Sequence, residues 1–344
     1  TFKYIIILMS KLTNCLINKD RSFIPIWFMR QAGRYLPEFR KIRSTNKDFI
    51  KLCLNVDLSS EITLQPLKRF NLDAAIIFSD ILMVPYGLGQ DVRFEKKKGP
   101  ILSEFNLESF LKSSVEQFKK KLDPIYQSIK KTRQDLERKK SLISFIGSPW
   151  TLAVYMLGLK KDKNVIDFDK LKKDEAKLKI IIPKLNKFLC AHLEGQIDAG
   201  ADVVQVFDSW AGLIPGNKLN EYCYEPNKKI VDFCKIKNIP TICFPRGIGK
   251  NYLKFAEIVN PNCLSLDYQL DPIWAKENLN KFCLQGGLDP KVLLKSENEI
   301  FFEVDKYLNI FKESSYIFNL GHGLLPETDP DVLKKIIERV GNFK

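Results

Sequence analysis

The sequence predicts an α/β fold, a single (β/α)8 TIM-type barrel with an insertion after its second strand. Eight short apolar, β-branched or aromatic runs recur along the chain, and each ends in polar or glycine-containing residues. Most runs are nearly continuously apolar, as expected for parallel strands buried on both faces. Helical segments fill the gaps, and eight strands alternating with helices in 344 residues favour a barrel. The predicted strands are residues 25–30, 74–80, 142–149, 202–209, 240–247, 263–268, 282–287 and 316–323.

The helices between these strands follow from apolar spacing and from the lengths of the gaps. Apolar residues within 185–197 recur at helical spacing, and Gly200 closes that helix. The steps from Arg246 to Asp267 and from Asp267 to Gly287 are 21 and 20 residues long, which is room for one helix and two tight loops. An open doubly wound sheet is the alternative. No Gly-x-Gly-x-x-Gly follows the first strand, which weakens a dinucleotide-binding interpretation.

The stretch between the second and third strands is too long for a minimal barrel. Residues 91–102 are predicted to form a small hairpin, and residues 107–140 one or two charged helices. We interpret 91–140 as an insertion that contributes to a lid or an oligomer contact. Residues 1–344 then form one domain, in which residues 1–20 could combine a truncated leader with the first helix. The chain starts at Thr1 without a methionine, so the expected compartment is either the cytosol or a plastid.

Composition restricts the classes of partner. The net charge of +14 brings nucleic acid and membrane surfaces into consideration, but the excess is mostly lysine scattered over helical stretches. No RNP-like, zinc-finger or KH pattern occurs, and no apolar run approaches bilayer length, so we predict neither a nucleic-acid nor a membrane partner. The eight cysteines include no Cys-x-x-Cys pair, which indicates free thiols in a reducing compartment. Two histidines are too few for a His-rich metal site.

Polar side chains stand at the end of every predicted strand, where barrel enzymes place their active sites. The set contains cations, carboxylates, hydroxyls and one imidazole, but no evident nucleophile–base pair and no metal cage. Such a rim suits an anionic substrate and proton-transfer chemistry. In chain order the residues are Arg30 and Arg34, Ser79 and Asp80, Ser148 and Tyr155, Asp208 and Ser209, Arg246, Asp267, Gln285, and His322.

Arginines cluster after the first predicted strand. The chain has 11 arginines, and four of them, Arg30, Arg34, Arg40 and Arg43, fall within 14 residues. Where lysine is the common cation, such a run suggests a need for the planar, always-charged guanidinium fork. That fork fits either a carboxylate or a phosphate.

Several of these residues also have purely structural interpretations. Asp80 could cap the next helix, and Ser209 could be an N-cap. Tyr155 could be a core aromatic, and Arg246 could pair with a neighbouring carboxylate. His192 lies on the apolar face of its helix and is predicted to be a packed core histidine.

His322 is harder to explain by packing, because a glycine flanks it on each side. Glycines permit unusual φ/ψ angles and close approach of a ligand. We therefore expect this histidine to face the substrate.

At these residues the chain resembles the uroporphyrinogen decarboxylase family over nearly its whole length. Residues 27–38 read WFMRQAGRYLPE, which is almost unbroken against the family's N-terminal signature. One departure is Gly287, where the family usually has asparagine, and we expect it to affect loop rigidity more than chemistry. Further matching motifs are FSDIL at 78–82, PWTL at 149–152, FDSWAG at 207–212, and NLGHG at 319–323 followed by Asp329 and Pro330.

The resemblance implies a (β/α)8 barrel, commonly a homodimer with active-site clefts that face each other. It implies conversion of uroporphyrinogen III to coproporphyrinogen III, in which four acetate side chains lose CO₂ and become methyls, without cofactor or metal. The substrate is then an octacarboxylate tetrapyrrole. A corrinoid-linked methyltransferase sharing the barrel is the nearest enzyme alternative, but such enzymes need a zinc-binding His/Cys set that this chain lacks.

The resemblance also carries residue roles. It implies that Asp80 accepts the pyrrole N–H bonds and stabilises a cationic intermediate. The proton donor is left open between Arg30, a water polarised by Arg30, and Tyr155. The implied catalytic residues are Asp80, Arg30, Tyr155 and His322. The implied substrate-binding residues are Arg30, Gln31, Ala32 through its backbone, Gly33, Arg34, Arg43, Asp80, Tyr155, Ser209 and His322.

Overall fold

A computed structural model of the chain describes residues 9–95, 99–162 and 165–343. Short strands alternate with helices through this part of the chain. The strands are β1 (Ala74–Ile76), β2 (Val92–Glu95), β3 (Gly99–Leu102), β4 (Ser141–Gly147), β5 (Lys160–Asp162), β6 (Val165–Ile166), β7 (Val203–Asp208), β8 (Thr241–Pro245), β9 (Cys263–Leu266), β10 (Cys283–Gly286) and β11 (Tyr316–Ile317).

The α-helices begin mostly at side-chain caps or at proline. Ser148 caps the helix that opens with Pro149, and Ser296 with Glu299 forms a capping box at another. The helices are α1 (Lys11–Asn18), α2 (Pro37–Thr45), α3 (Phe49–Cys53), α4 (Val56–Arg69), α5 (Met83–Gly87), α6 (Leu107–Lys112), α7 (Val115–Asp135), α8 (Pro149–Met156), α9 (Phe168–Asp198), α10 (Glu225–Ile236), α11 (Tyr252–Val259), α12 (Pro272–Asn278), α13 (Glu297–Phe311) and α14 (Pro330–Asn342).

Seven strands form one parallel sheet in the order β1-β4-β7-β8-β9-β10-β11. These are seven of the eight predicted strands, in chain order, with helices in the crossovers between them. The alternation of strands and helices predicted from the sequence is thereby confirmed. A parallel sheet places all the carboxyl ends of its strands at one edge, so the polar residues that follow them are brought together.

The first predicted strand, residues 25–30, is not a regular strand. Ile26 makes an isolated parallel bridge with Phe318, and its carbonyl accepts the N–H of Asp73. Side-chain oxygens replace backbone carbonyls elsewhere along the segment. The N–H of Ile26 donates to Asp73 Oδ2 at 2.9 Å, and that of Met29 donates to Asn319 Oδ1 at 3.1 Å. The segment therefore contacts both edges of the sheet without forming a continuous ladder with either.

The long stretch after β1 has the predicted local structure. Strands β2 and β3 pair as an antiparallel hairpin, although residues 96–98 of its predicted turn lie outside the described residues. Helices α6 and α7 follow, as predicted for 107–140. A second small hairpin of β5 and β6, which the sequence did not suggest, precedes α9.

Two apolar clusters hold the fold together. The larger one packs the helices against the outside of the sheet. The smaller one lies inside the curved sheet, where inward side chains such as Ile242 and Phe244 meet Leu12 and Leu16 of α1. His192 is buried and its Nδ1 lies 3.0 Å from the Tyr126 hydroxyl, which confirms it as a core histidine. All eight cysteines are free thiols, and all but Cys190 are buried.

No helix in the three described ranges combines the length and apolar character needed to cross a membrane.

Candidate active site

The loop after residue 29 is strained at the first candidate residue. Arg30 has a φ of +63°, a left-handed conformation that is unusual for a residue other than glycine. Such a conformation costs about 1–3 kcal/mol and persists where surrounding contacts fix it, often at functional sites. Here Gly33 is part of that constraint, because a Cβ at Gly33 would lie 2.6 Å from the Arg30 carbonyl oxygen.

Gln31 fixes this loop rather than lining the cleft. It is fully buried, its Oε1 accepts the N–H of Phe28, and its Nε2 donates to the carbonyl of Ala74. Its backbone N–H donates to the Phe28 carbonyl, and its carbonyl accepts the Tyr35 hydroxyl at 2.9 Å. The sequence placed Gln31 among the substrate-binding residues; the structure gives it a positioning role, because its polar groups are already bonded.

Ala32, Gly33 and Arg34 are the parts of the loop that face outward. Within the described ranges, the N–H groups of Ala32 and Gly33 have no acceptor, so they can donate to an anion. The Arg34 side chain is exposed, whereas Arg40 donates from Nη1 to the carbonyls of Arg34 and Tyr35 at 2.8 Å each. Arg34 is thus free for a ligand, and Arg40 supports the loop.

Arg43 lies at the end of α2. Its guanidinium donates to the Asn46 carbonyl and stacks 5.5 Å from the centre of the Phe49 ring. Phe49 in turn packs edge-on against Phe78, which precedes the Asp80 loop. These contacts anchor Arg43 near the Asp80 loop and leave other N–H groups of its guanidinium free to bind a carboxylate.

Asp80 combines a structural contact with a free oxygen. Its Oδ1 accepts the N–H of Leu82 at 2.8 Å, but the N-cap position of α5 is Leu82 itself, so Asp80 does not cap that helix directly. Desolvation raises the pKa of the Asp80 carboxyl to about 6, against the lowering effects of the Leu82 N–H and of Arg30. Arg30 and Asp80 are close enough to influence each other, yet they form no ion pair within 4 Å.

Tyr155 lies in the last turn of α8, the helix that follows β4, and Ser209 directly follows β7. Tyr155 is half-buried and packs edge-on against Trp210 at 6.0 Å. Desolvation and the charge of Asp80 both raise the pKa of Tyr155, so its hydroxyl stays protonated at neutral pH. Ser209 is half-buried and is not an N-cap, because the following 3₁₀ turn begins after Trp210.

His322 is held as a neutral imidazole. Desolvation, with the nearby charges of Arg30 and Arg246, lowers the pKa of His322 to about 3. Its Nδ1 accepts the N–H of Gly323 at 2.7 Å, which leaves the proton on Nε2. The flanking glycines differ from expectation: neither has a positive φ. They are needed for protein contacts instead, since Cβ atoms there would lie 2.3 Å from the Tyr268 N–H nitrogen and 2.4 Å from Arg30 Cδ.

Comparison with known proteins bears on this arrangement. Residues 8–343 match the protein family described as uroporphyrinogen decarboxylase. A uroporphyrinogen decarboxylase of Rickettsia bellii is 40% identical over 326 residues, which cover 93% of this chain and 95% of the relative. One of Rickettsia felis is 42% identical over 333 residues, with 94% of each chain covered. The chain belongs to the uroporphyrinogen decarboxylase family.

Solved structures agree at the level of the fold. A methyltransferase from Methanosarcina mazei superposes with a TM-score of 0.74, covering 96% of this chain and 97% of the other at 16% identity. At that identity the likeness concerns architecture alone. No three His, Cys, Asp or Glu side chains come together as a metal-binding group in the described ranges.

Two half-exposed aromatic residues lie on the central strands, and the sequence interpretation left both out of the site. Phe145 and Phe207 lie within central strands but remain half-exposed, and their rings pack edge-on at 5.6 Å. They pack against the cluster inside the sheet, so their exposed edges form an aromatic floor beneath the polar rim. Their period-2 spacing with Ile143 and Val203 was visible in the sequence, but the partial exposure was not.

Gly287 is the position at which the resemblance led us to expect asparagine, and its surroundings favour glycine. Gly287 has a φ of +102°, and its carbonyl accepts the Tyr307 hydroxyl at 2.8 Å. A Cβ at this position would lie 2.9 Å from Tyr307 Cε1. In this chain the Tyr307 ring occupies the space that a side chain at 287 would need.

Proposed function

We propose that this chain decarboxylates uroporphyrinogen III to coproporphyrinogen III, the activity of its family, through the residues assembled at the strand ends. The observation that carries the proposal is the charge pattern of the cleft. The charges of Asp80, Arg34 and Arg246 all act on Arg30. Tyr155 is likewise within reach of the charges of Asp80, Arg30 and Arg246. Several cations around one carboxylate suit a substrate with anionic side chains and a centre that becomes cationic.

The substrate supplies its own electron sink. Protonation of the pyrrole carbon next to the acetate-bearing carbon gives a cationic ring. The bond between the acetate methylene and its carboxylate then breaks, the electron pair moves into the ring, and CO₂ leaves. Protonation of the exocyclic carbon and loss of the added ring proton yield the methyl group. The net change at each acetate is the gain of one proton and the loss of one CO₂.

Asp80 is assigned to stabilise that cationic ring. Its free Oδ2 can accept pyrrole N–H bonds, while the Leu82 N–H holds Oδ1 in place. A desolvated carboxylate stabilises a developing positive charge more strongly than a hydrated one does. The raised pKa of Asp80, about 6, still leaves it mostly ionised at neutral pH.

The peripheral carboxylates are assigned to the cations and free donors around the rim. Each well-formed charge-assisted bond contributes about 1.5–3 kcal/mol. The Gly323 N–H occupies His322 Nδ1, so Nε2 carries the proton and can donate to a carboxylate. Gln31 is reassigned as the residue that positions this loop. The binding set is Arg30, the N–H groups of Ala32 and Gly33, Arg34, Arg43, Ser209 and His322.

Two groups compete as the source of the first proton. One is Tyr155, whose hydroxyl stays protonated because burial raises its pKa. The other is a water polarised by Arg30, since the guanidinium itself does not give up a proton readily. Tyr155→Phe separates them: a loss of CO₂ release with substrate binding retained assigns the proton to Tyr155, and near-normal release assigns it to the water.

We further propose that the sheet closes as an eight-stranded barrel, with residues 91–140 as an insertion in its second crossover. Support for closure comes from the segment around Ile26, which hydrogen-bonds to Asp73 beside β1 and to Phe318 beside β11. Deleting the β2–β3 hairpin would test the insertion. If the variant without the hairpin folds and still decarboxylates uroporphyrinogen, the hairpin lies outside the catalytic barrel, as proposed.

A homodimer is proposed as well, with the clefts facing each other. Val165 and Phe168 are apolar and 48% and 62% exposed. Val165 is the first residue of β6 in the β5–β6 hairpin, and Phe168 opens α9 directly after it. Lys160 Nζ of the same hairpin lies 3.8 Å from the centre of the Trp210 ring, and Trp210 packs on Tyr155 at the cleft. Light scattering on Phe168→Asp tests this face. Phe302→Asp, at an equally exposed phenylalanine on α13, is the control that should leave the mass unchanged.

The activity itself is tested by an anaerobic assay with uroporphyrinogen III. The seven-, six-, five- and four-carboxylate products are followed after oxidation to porphyrins. Accumulation of the four-carboxylate product, with or without EDTA, supports the proposal. Recovery of unchanged eight-carboxylate substrate from folded protein, or inhibition by EDTA that zinc reverses, refutes it.

A further inference from the structure

Arg246 is a half-buried cation at the carboxyl end of β8. It directly follows Pro245, the last residue of that strand, and the chain turns there, because the Arg246 N–H also donates to the Phe244 carbonyl at 3.0 Å. The strand before it belongs to the curved sheet, with Ile242 and Phe244 in the cluster inside it. Arg246 therefore lies at the edge of the sheet where the strand ends bring the candidate site residues together.

The backbone at this position is fixed from both sides. The N–H of Arg246 donates to the Asp208 carbonyl at 3.2 Å, and its carbonyl accepts the N–H of Gly212 at 2.9 Å. The next residue, Gly247, donates its N–H to Asp267 Oδ2 at 2.9 Å. Gly212 and Gly247 are in close backbone contact, since a Cβ on Gly212 would lie 2.7 Å from the Gly247 carbonyl oxygen. The backbone that carries the arginine is thus held in one conformation.

The neighbouring carboxylates are occupied elsewhere. Asp267 is 2% exposed and binds the N–H groups of Gly247 and Gln269. Asp208 accepts from Thr151 and Asn227. The structural alternative, an ion pair for Arg246, is therefore not realised: over the described ranges no carboxylate lies within 4 Å of its guanidinium. Its half-buried guanidinium is therefore free to bind an anionic group in the cleft.

The charge of Arg246 reaches three candidate site residues on three other elements. It influences the pKa of Arg30, of Tyr155 and of His322. Its strand is the middle one of the seven, whereas the segment leading to Arg30 contacts the two edge strands. Arg246 and the Arg30–Arg34 loop therefore face each other across the mouth.

We propose that Arg246 binds a spectator carboxylate of the macrocycle, on the side of the cleft opposite the Arg30–Arg34 loop. The inference rests on the proposed function, because it takes the ligand to be the octacarboxylate tetrapyrrole. A macrocycle carries its acid side chains around its whole perimeter. Cations on opposite sides of the mouth can hold two of them while the reacting pyrrole ring lies at Asp80.

Steady-state kinetics of Arg246→Gln on uroporphyrinogen under anaerobic conditions test this role. Loss of one charge-assisted contact should raise KM about 10- to 100-fold and leave kcat within about threefold. Arg246→Lys keeps the charge but loses the fork, so its KM should lie between those of Arg246→Gln and the natural chain. Lys250→Gln is the matched control, because that exposed lysine lies on the same loop and should leave KM unchanged.

Thermal unfolding of each variant accompanies the kinetics. An Arg246→Gln protein with normal unfolding and a KM within twofold of the natural chain overturns the inference. So does a fall in kcat at constant KM, which would place Arg246 in the chemical step. If Arg246→Gln does not fold, the KM of Arg246→Lys is used instead, and a value within twofold of the natural chain overturns the inference. Failure of the unsubstituted chain to release CO₂ would instead refute the proposed function.

Discussion

The side chain of Arg30 lies directly against Gly323. A Cβ on Gly323 would be 2.4 Å from Arg30 Cδ and 2.6 Å from Cγ, which is closer than any real contact of that kind. The same glycine donates its N–H to His322 Nδ1. Gly323, in the loop after β11, therefore limits where the Arg30 side chain can lie and fixes the tautomer of His322.

Gly323→Ala should lower kcat/KM strongly with little loss of folding. The added methyl group displaces Arg30, and a misplacement of about 1 Å in a positioning group costs on the order of 100-fold. Gly216→Ala is the matched control, because no atom lies within 4 Å of a Cβ built there. Kinetics and thermal unfolding of the two variants check the prediction, and equal activity in both would show that Arg30 tolerates the displacement.

Asp80→Asn should retain its fold and its substrate binding but lose CO₂ release. Asparagine Oδ1 can still accept the Leu82 N–H, and the substitution removes a desolvated charge. Loss of the stabilising charge should lower kcat by about 100- to 1,000-fold. Because a carboxylate repels an anionic substrate, KM should fall or stay constant. A rate of CO₂ release close to that of the natural chain, measured in a single turnover, would falsify the role assigned to Asp80.

The pH profile of kcat/KM should have an acid limb near pH 6. Asp80 must be ionised to stabilise a cation, and burial raises its pKa to about 6, so activity rises as pH increases through that value. The charged or titratable groups that interact with Asp80 are Arg30, Tyr155 and Cys53.

His322→Gln provides the control for that assignment. The pKa of His322 is lowered to about 3, so the imidazole is neutral on both sides of pH 6. The variant should bind substrate more weakly and keep the acid limb at the same pH. A limb that disappears in His322→Gln would identify the histidine, not Asp80, as the titrating group.

The sequence predicted the existence and order of the seven sheet strands because buried parallel strands are apolar. Each of them nevertheless ends before its predicted end, β1 at Ile76 instead of Asp80 and β11 at Ile317 instead of Gly323, because the polar residues that follow belong to loops. The first predicted strand, residues 25–30, lacks a regular ladder for a specific reason. Asp73 and Asn319 supply side-chain oxygens where a neighbouring strand would supply carbonyls, and such substitutions leave no periodic signal. The left-handed Arg30 was also hidden, since glycine is the residue that normally marks a positive φ.

Motifs alone did not separate ligand-facing residues from supporting ones. Gln31 and Arg34 belong to the same signature, but one is fully buried and bonded and the other is exposed. For Arg246 the sequence left two interpretations open, a cation at the rim and a structural ion pair. Only the contacts distinguish them: Asp267 accepts the N–H of Gly247, and Arg246 has no ion pair within the described ranges. Such distinctions depend on contacts between residues far apart in the chain.

Arg34 and Arg40 offer a test of that distinction within one loop. Arg34→Ala should raise KM about 10-fold or more with unchanged thermal unfolding, because its exposed fork makes no bond within the described protein. Arg40→Ala removes two bonds to the carbonyls of Arg34 and Tyr35. The loss of these two bonds should lower Tm by about 2 °C. Arg40→Ala should raise KM only indirectly, by loosening the loop, and so by less than Arg34→Ala does. Parallel kinetics and calorimetry would show the two effects separately, and the reverse pattern would mean that Arg40 is the residue that binds the substrate.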